Sequence, residues 1–237
     1  MNNIKNFLDN KHFTVLFSGG KDSLASLLWV LDNIHHSNWN VLYIEMTGNT
    51  DKRNIDYVYE IIGRLKILDR LIHVKLPFDF FEKVREWGIP VFKYYRWCMK
   101  NKAILIGKYA SKITVSGFKK VDSIRRREYN AIEFMRLSRT LSINPILNWS
   151  NRDVIKFISN HNLRLNPCYS LFGHEGNCMF CPMHSKTQII RTMNDPTWRE
   201  KILDTLLQNK EREKRGYISN SIIERWLKYS KQTVLVP

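Results

Sequence analysis

The chain has 237 residues, of which 43% are hydrophobic and 12% aromatic. This composition excludes a disordered chain and is sufficient for one α/β core with a small appendage. The sequence contains no apolar run long enough to cross a membrane, and its first residues lack the apolar segment of a signal peptide. We therefore expect a cytoplasmic protein.

The chain is strongly basic, with a formal net charge of +16. A basic surface attracts nucleic acid because lysine and arginine side chains neutralise phosphates and release counterions. A lysine-rich composition shared by a whole genome would produce the same charge, so both interpretations stay open. The positive charge makes tRNA and DNA candidate partners in addition to a small-molecule substrate.

Short apolar runs alternate with helical patterns along most of the chain. The patterns predict strands at residues 13–17, 40–45, 71–74 and 113–117, and helices at residues 23–31, 54–66 and 151–160. Such alternation is typical of a Rossmann-like α/β fold, in which helices flank a parallel sheet. We predict an α/β domain at residues 1–185, which includes a cysteine-rich loop, and a helical extension at residues 186–237.

A glycine-containing loop lies between the first predicted strand and the first predicted helix. It consists of Ser18, Gly19, Gly20, Lys21, Asp22 and Ser23. The glycines allow close backbone approach, and the loop N–H groups together with the helix N-terminus form a site for phosphate oxygens. The lysine adds a full charge and the serines add hydroxyl donors. The alternative is a turn with a serine or aspartate helix cap.

The loop resembles the PP-loop, and later segments resemble the phosphoadenosine phosphosulfate (PAPS) reductase family in the same order. Arg96-Trp97-Cys98 resembles an R-W-C segment of that family. Residues 145–150, 153–154 and 166–167 resemble its P-I-x-x-W-[ST]…D-V…N-P run. A G-x-R-x-x-E-S-x-x-R segment is matched by Gly117, Lys119, Asp122, Ser123 and Arg126, with lysine replacing arginine and aspartate replacing glutamate.

The resemblance implies an adenine nucleotide alpha-hydrolase-like fold and an adenylyl substrate, namely ATP, adenylyl sulfate or PAPS. It assigns catalytic roles to Lys21 and Asp22. After the second strand, Met46 stands where the family usually has aspartate, and Thr47 and Gly48 follow. The implied nucleotide-binding residues are Ser18, Gly19, Gly20, Lys21, Asp22, Ser23, Thr47, Gly48, Gly117, Lys119, Ser123 and Arg126.

Four cysteines form the second group of candidate residues: Cys98, Cys168, Cys178 and Cys181. Four thiolates suit a [4Fe–4S] cluster, and they also suit tetrahedral Zn²⁺. In the third interpretation the cysteines bind no metal and act as small hydrophobic side chains. We expect the cluster and keep zinc as the alternative.

The cysteine positions also bear on the reaction. Reductases of the family carry a nucleophilic cysteine in a C-terminal segment, whereas this sequence has no cysteine after Cys181. We therefore predict a sulfur-metabolism enzyme of the PAPS reductase family that binds an adenylyl nucleotide without this cysteine. The alternatives are an ATP-dependent enzyme that adenylates tRNA or DNA for sulfur transfer, and a non-catalytic protein that binds nucleotide or nucleic acid. If the protein is an enzyme, Mg²⁺ and a redox or sulfur-donor protein are further expected partners. The sequence leaves open whether the chain forms an oligomer.

Overall fold

The computed structural model describes residues 2–91, 96–213 and 220–232. Within them, the strands are β1 (Phe13–Leu16), β2 (Trp39–Glu45), β3 (Leu71–Lys75), β4 (Ile113–Val115), β5 (Ile132–Met135) and β6 (Thr140–Ile143). The helices are α1 (Asn2–Leu8), α2 (Lys21–Asn33), α3 (Lys52–Arg64), α4 (Phe80–Trp87), α5 (Trp97–Tyr109), α6 (Asn151–Asn160), α7 (Cys168–Phe172), α8 (Lys186–Asn194), α9 (Pro196–Glu213) and α10 (Asn220–Ser230). None of these helices is long and apolar enough to span a membrane.

The six strands form one sheet in the order β3-β2-β1-β4-β6-β5. Strand β1 is parallel to both neighbours, with Val15 opposite Val41 on one side and Val115 on the other. Strand β6 is parallel to β4, and the edge strand β5 runs antiparallel to β6. This mostly parallel sheet with flanking helices confirms the predicted α/β class.

The core explains why β1 and α2 were recognisable in the sequence. Phe13 and Val15 of β1 are completely buried, as is Thr14 between them, so the strand is covered on both faces. Residues 23–30 of α2 are all buried, so this helix is covered on every face. Strands buried on both faces appear in a sequence as continuous apolar runs, which is the pattern that residues 13–17 show.

The β5–β6 hairpin was not predicted from the sequence. Two apolar side chains of β5, Ile132 and Phe134, are exposed rather than buried. The strand therefore lacks the apolar-inside alternation that marks a half-buried strand. Helices α1, α4 and α5 were also missed, and the cysteine-rich loop contains the short helix α7. Residues 214–219 and 233–237 of the predicted helical extension lie outside the described residues.

The chain divides into two compact units that interleave in sequence. The sheet unit comprises residues 1–45, 55–74 and 100–166, and the helical unit comprises residues 46–54, 75–99 and 167–237. A division into domains at residue 185 stays a prediction. Each unit has its own core.

Aromatic side chains from distant parts of the sequence form the core of the helical unit. Phe80 of α4 packs on Trp97 with ring centroids 5.1 Å apart, and Phe180 packs on Trp226 of α10 at 4.9 Å. Trp97 and Trp226 are completely buried. Helix α8 begins with a capping box in which Ser185 and Gln188 satisfy each other's backbone N–H groups.

Two buried histidines, His174 and His184, face each other in the helical unit with ring centroids 4.2 Å apart. His174 Nδ1 accepts a hydrogen bond from the Gly176 N–H, and its Nε2 lies 3.3 Å from Thr192 Oγ1. Burial lowers the pKa of His174 to about 4. Burial, together with the neighbouring His174 and Arg225, also holds the pKa of His184 well below its usual value.

We predict that this pair makes the helical unit sensitive to acid. In the unfolded chain each histidine takes up a proton near pH 6.5, whereas in the folded chain it does so only at lower pH. The contribution of the pair to the free energy of unfolding is therefore fully present above about pH 6.5 and is lost as the pH falls towards 4. His174→Phe should lower stability at pH 8 but flatten its decline between pH 7 and 5. Chemical denaturation at a series of pH values measures both effects.

His161→Asn is the control, because this histidine has the opposite behaviour. Its pKa is raised: burial opposes protonation, but the Phe157 carbonyl and the Asp32 carboxylate favour it more strongly. His161 thus contributes more stability as the pH falls, and its removal should steepen the decline. An unchanged profile for His174→Phe would contradict the assignment.

Candidate functional site

The predicted phosphate loop connects β1 to α2 and is closed by its own serines. Gly19 has a φ of +80°, which glycine adopts without strain. Ser23 Oγ accepts a hydrogen bond from the Ser18 N–H at 3.2 Å and donates one to the Gly20 carbonyl at 2.9 Å. The two serine hydroxyls lie 3.3 Å apart. The hydroxyl of Ser23 therefore stabilises the loop, and its predicted contact with a phosphate stays a prediction.

The N-terminus of α2 has no side-chain cap. Its N-cap residue is Gly20, whereas Asp79, Ser150 and Ser185 cap α4, α6 and α8 with side-chain oxygens. The first N–H groups of any helix lack intrahelical acceptors and carry a partial positive charge. A helix N-terminus without a side-chain cap is typical of an anion-binding site.

Two residues from elsewhere in the sheet unit hold the loop. Asn166 donates a hydrogen bond from Nδ2 to the Gly19 carbonyl at 3.1 Å. Gly117 follows β4, and a Cβ atom at this position would lie 2.5 Å from the backbone carbon of Asp22. Gly117 therefore acts by allowing a close backbone contact. Asn166 was not predicted as a site residue, although the N-P step of the family motif marked it.

Beside the loop, five charged side chains form a chain of ion pairs, which we call the ion chain. Lys21 contacts Asp22 at 2.7 Å, and Asp22 contacts Lys119 at 2.8 Å. Lys119 lies 3.4 Å from Asp122, which contacts Arg126 at 2.7 Å. Positive and negative charges alternate along the chain, so each carboxylate lies between two cations.

Lys119 is the buried centre of the ion chain. Its residue is 0% exposed, and Nζ also donates a hydrogen bond to Asn151 Oδ1, at the start of α6, over 2.6 Å. The ammonium group is thus surrounded by one hydrogen-bonded amide oxygen and two carboxylates in ion-pair contact. The predicted contact of Lys119 with a phosphate would require it to leave these partners. In the structure it orients Asp22 instead.

Lys21 and Arg126 are the partly exposed ends of the ion chain, with side chains 20% and 34% exposed. The Arg126 guanidinium lies over the Phe118 ring at 4.6 Å. Ser123 accepts a hydrogen bond from the Arg126 N–H and caps a short 3₁₀ helix, so the structure gives it a local role. Either cation can turn towards an anionic ligand while Lys119 keeps the carboxylates neutralised.

Thr47 and Gly48, the predicted adenosine contacts, belong to the helical unit. Thr47 Oγ1 donates a hydrogen bond to the Leu76 carbonyl at 2.7 Å, and Lys201 donates one to the Gly48 carbonyl at 2.8 Å. Both residues therefore have structural partners within their own unit. Their contact with a nucleotide stays a prediction.

All four cysteines also belong to the helical unit, and they form no disulfide bond. Burial and the nearby Asp51 raise the pKa of Cys168 to about 12, and its Sγ lies 2.8 Å from the position that a Cβ on Gly176 would take. Burial, with a smaller contribution from Cys98, also raises the pKa of Cys181.

The arrangement of these cysteines does not reproduce the predicted metal site. Among the described residues, no three Cys, His, Asp or Glu side chains lie close enough together to share a metal ion. The [4Fe–4S] cluster and its zinc alternative are therefore not confirmed.

We predict that Gly117→Ala disrupts the phosphate loop. The added Cβ would clash with the backbone of Asp22 and Ser23, and relief of the clash must move the loop. We expect a loss of about 1–3 kcal/mol in stability, and about a tenfold loss of affinity for inorganic pyrophosphate, measured by calorimetry. The control is Gly63→Ala, since nothing lies within 4 Å of its added Cβ in α3. Equal effects of both changes would exclude the steric explanation.

We predict that Lys119→Met leaves Asp22 and Asp122 as two adjacent carboxylates without their shared cation. Removal of one partner from a buried ion pair costs about 3–5 kcal/mol when the remaining charge is unpaired. The cost here is smaller, because Lys21 and Arg126 each keep one carboxylate paired. The free energy of unfolding should fall, as measured by chemical denaturation.

Two further variants control for this change. Lys120→Met removes the same charge from the neighbouring, partly exposed residue and should have little effect. Lys119→Met combined with Asp122→Asn should recover part of the stability. No recovery in the double variant would argue against the ion chain.

Comparisons with known proteins agree with the fold. The family model "Phosphoadenosine phosphosulfate reductase domain" matches residues 12–172. A structure of Candida glabrata FMN adenylyltransferase with FAD and inorganic pyrophosphate has a TM-score of 0.51 and 16% identity, over 72% of this chain and 59% of that chain. PAPS reductase from Candida auris has a TM-score of 0.47 and 16% identity, over 66% and 77%.

Curated relatives include an uncharacterized protein of Methanocaldococcus jannaschii, 29% identical over 77% of this chain and 44% of its own length. Adenosine 5'-phosphosulfate reductase of Anoxybacillus flavithermus is 25% identical over 55% of this chain and 58% of its own. The chain thus spans only about half the length of these relatives. Because the family model covers more than half of the sequence, the chain belongs to the phosphoadenosine phosphosulfate reductase domain family.

Proposed function

We propose that the loop between β1 and α2 binds the phosphate chain of an adenylyl nucleotide, and that the protein is a PP-loop enzyme of sulfur metabolism. The observation that carries the proposal is the uncapped N-terminus of α2, which follows a closed glycine loop and is flanked by Lys21. The adenylyl sulfate reductase among the relatives supports the substrate class. ATP, adenylyl sulfate and PAPS all present the anionic group that this site requires.

In the proposed complex, the α2 N–H groups and Lys21 bind the oxygens of the group that leaves the adenylate. Lys21 must exchange Asp22 for the ligand, a step that Lys119 makes less costly because Asp22 keeps one cation at 2.8 Å. Arg126 can move from Asp122 to a more distant anionic group in the same way. When bound, Mg²⁺ would offset further negative charge on the leaving group.

The cysteines bear on the choice between the two candidate reactions. Thiolates are the nucleophiles that reduction of a sulfonucleotide requires. Burial raises the pKa of Cys168 and Cys181 and so keeps both side chains as thiols near neutral pH. These two thiols support a second candidate, an ATP-dependent enzyme that adenylates tRNA or DNA for sulfur transfer, with sulfur supplied by a donor protein.

We keep the [4Fe–4S] cluster as a proposal for Cys98, Cys168, Cys178 and Cys181, with Zn²⁺ as the alternative. The side chains as placed do not form a common ligand set, so no step of the reaction is assigned to a metal there. The sheet unit, which contains the phosphate loop, contains no cysteine.

The test is direct binding of ATP, adenylyl sulfate and PAPS, measured by calorimetry. We expect at least one of them to bind, and Lys21→Met to weaken binding about tenfold through loss of a charge-assisted hydrogen bond. Lys112→Met removes an exposed charge elsewhere in the sheet unit and should leave the affinity unchanged. Failure of all three nucleotides to bind would refute the proposal.

Product analysis then separates the candidates. Sulfite release from adenylyl sulfate or PAPS with a thiol donor identifies a reductase, whereas AMP and pyrophosphate formed from ATP with a tRNA or DNA acceptor identify the second candidate.

A further inference from the structure

Three exposed arginines lie on or near the β5–β6 hairpin: Arg136 and Arg139 in its turn, and Arg127 in the preceding 3₁₀ helix. Arg127, Arg136 and Arg139 form no hydrogen bond, ion pair or ring contact through their side chains with any described residue, and all three are exposed. Several other arginine charges are balanced within the molecule, as in the pair of Arg164 with Glu60 or that of Arg126 with Asp122. The hairpin therefore carries cationic groups that are available to an external anion.

Apolar side chains accompany these arginines on the same hairpin. Phe134 on β5 is 59% exposed, Leu137 in the turn is 67% exposed, and Ile132 is 37% exposed. Ile132 and Phe134 are two residues apart and so lie on one face of the strand. We call these six residues, Arg127, Ile132, Phe134, Arg136, Leu137 and Arg139, the hairpin strip.

Backbone groups of β5 add donors and acceptors to the strip. The Asn144 N–H donates a hydrogen bond to the Ala131 carbonyl at 2.8 Å. In an antiparallel pair the direction of these bonds alternates, so the N–H and C=O groups of Ile132 and Phe134 point away from β6. Strand β5 ends the sheet order, and no strand of the described chain pairs with this side of it. The edge is open.

We propose that the hairpin strip binds single-stranded nucleic acid. Arginine forks match phosphate oxygens, the exposed Phe134 ring offers a face on which an unpaired base can stack, and the open edge supplies hydrogen-bonding groups. This inference rests on the proposed function only in assigning the nucleic acid the role of acceptor.

Charge distinguishes this occupant from a second copy of the chain. Residues 120–139 contain six basic and three acidic residues, and the whole chain carries +16. The nearby acidic Glu133 accepts a hydrogen bond from the Asn130 N–H. Two copies paired along β5 would bring their arginines together, whereas a polyanion neutralises them and releases counterions.

The test measures the affinity of the protein for fluorescein-labelled 20-nucleotide oligomers of deoxythymidine and of uridine. Binding is measured at several salt concentrations, in the absence of ATP, adenylyl sulfate and PAPS. The two oligomers separate DNA from RNA, and binding of either supports the proposal. Each phosphate contact on a single strand contributes about 0.7 to the slope of log affinity against log salt. Arg136→Gln with Arg139→Gln should therefore reduce the slope by about 1.4. Phe134→Ala should weaken binding about fivefold or more, through loss of base stacking.

Matched controls lie on α6 of the same unit. Arg152→Gln with Lys156→Gln removes the same charge, and Ile155→Ala truncates a side chain that is 46% exposed. Neither should reproduce the effects of the hairpin variants. Equal losses of oligomer affinity in the control variants would show that binding depends only on the overall positive charge, and would overturn the proposal. A wild-type dimer that dissociates on Phe134→Ala would also overturn it, because the strip would then be a protein interface.

Binding of ATP, adenylyl sulfate and PAPS to the same variants separates the two proposals. If a nucleotide binds but the hairpin variants do not change oligomer binding, the proposed phosphate site is supported and the proposal for the hairpin strip is refuted. If oligomer binding depends on the hairpin residues but none of the three nucleotides binds, the proposal for the hairpin strip is supported and the proposed function is refuted.

Discussion

The buried ammonium group of Lys119 is the interaction on which the candidate site depends. An unpaired charge in a protein interior costs several kcal/mol, so a buried lysine must keep its anionic partners. Those partners come from three elements: Asp22 at the start of α2, Asp122 in a 3₁₀ turn after β4, and Asn151 at the start of α6. One cation thus fixes the ends of three segments at the carboxyl edge of the sheet. Because Asp22 is part of the phosphate loop, its contact with Lys119 also holds the loop in place.

The same interaction explains how a loop that holds a lysine and an aspartate side by side can serve an anion. Alone, the Lys21–Asp22 pair at 2.7 Å is neutral and would offer little attraction. With Lys119 on its other side, Asp22 stays neutralised when Lys21 turns to a ligand. The charge of Lys119 is buried and fixed, whereas that of Lys21 is partly exposed and can turn to a ligand. Such preorganisation is what binding of a charged leaving group requires.

Much of the fold was predictable because its central elements follow simple periodic patterns. Strand β1 and helix α2 are buried in continuous runs, and the glycine loop between them is a local signal. The hairpin of β5 and β6 could not be predicted in this way, because the exposed residues of β5 include apolar ones. The role of Lys119 was equally hidden. Spacing identifies a basic residue near the site, but it does not tell whether the side chain faces a ligand or a distant carboxylate.

The cysteines illustrate the same limit. The C-x-x-C spacing of Cys178 and Cys181 predicted a shared metal, but spacing fixes only the local distance between two thiols. The environment of Cys168 is set by the fold: Gly176, in a backbone conformation with φ of +82°, leaves room for its sulfur.

Two sets of cations in the sheet unit differ in their physical behaviour. Lys119 is enclosed by its partners, and Lys21 and Arg126 are partly shielded, so salt screens their interactions only weakly. Arg127, Arg136 and Arg139 are exposed and unpaired among the described residues, so salt screens them fully. A small ligand in the loop and a polymer on the hairpin would therefore respond differently to ionic strength, although both are anions. Net charge alone cannot separate these two sets, since it counts a buried lysine and a free arginine equally.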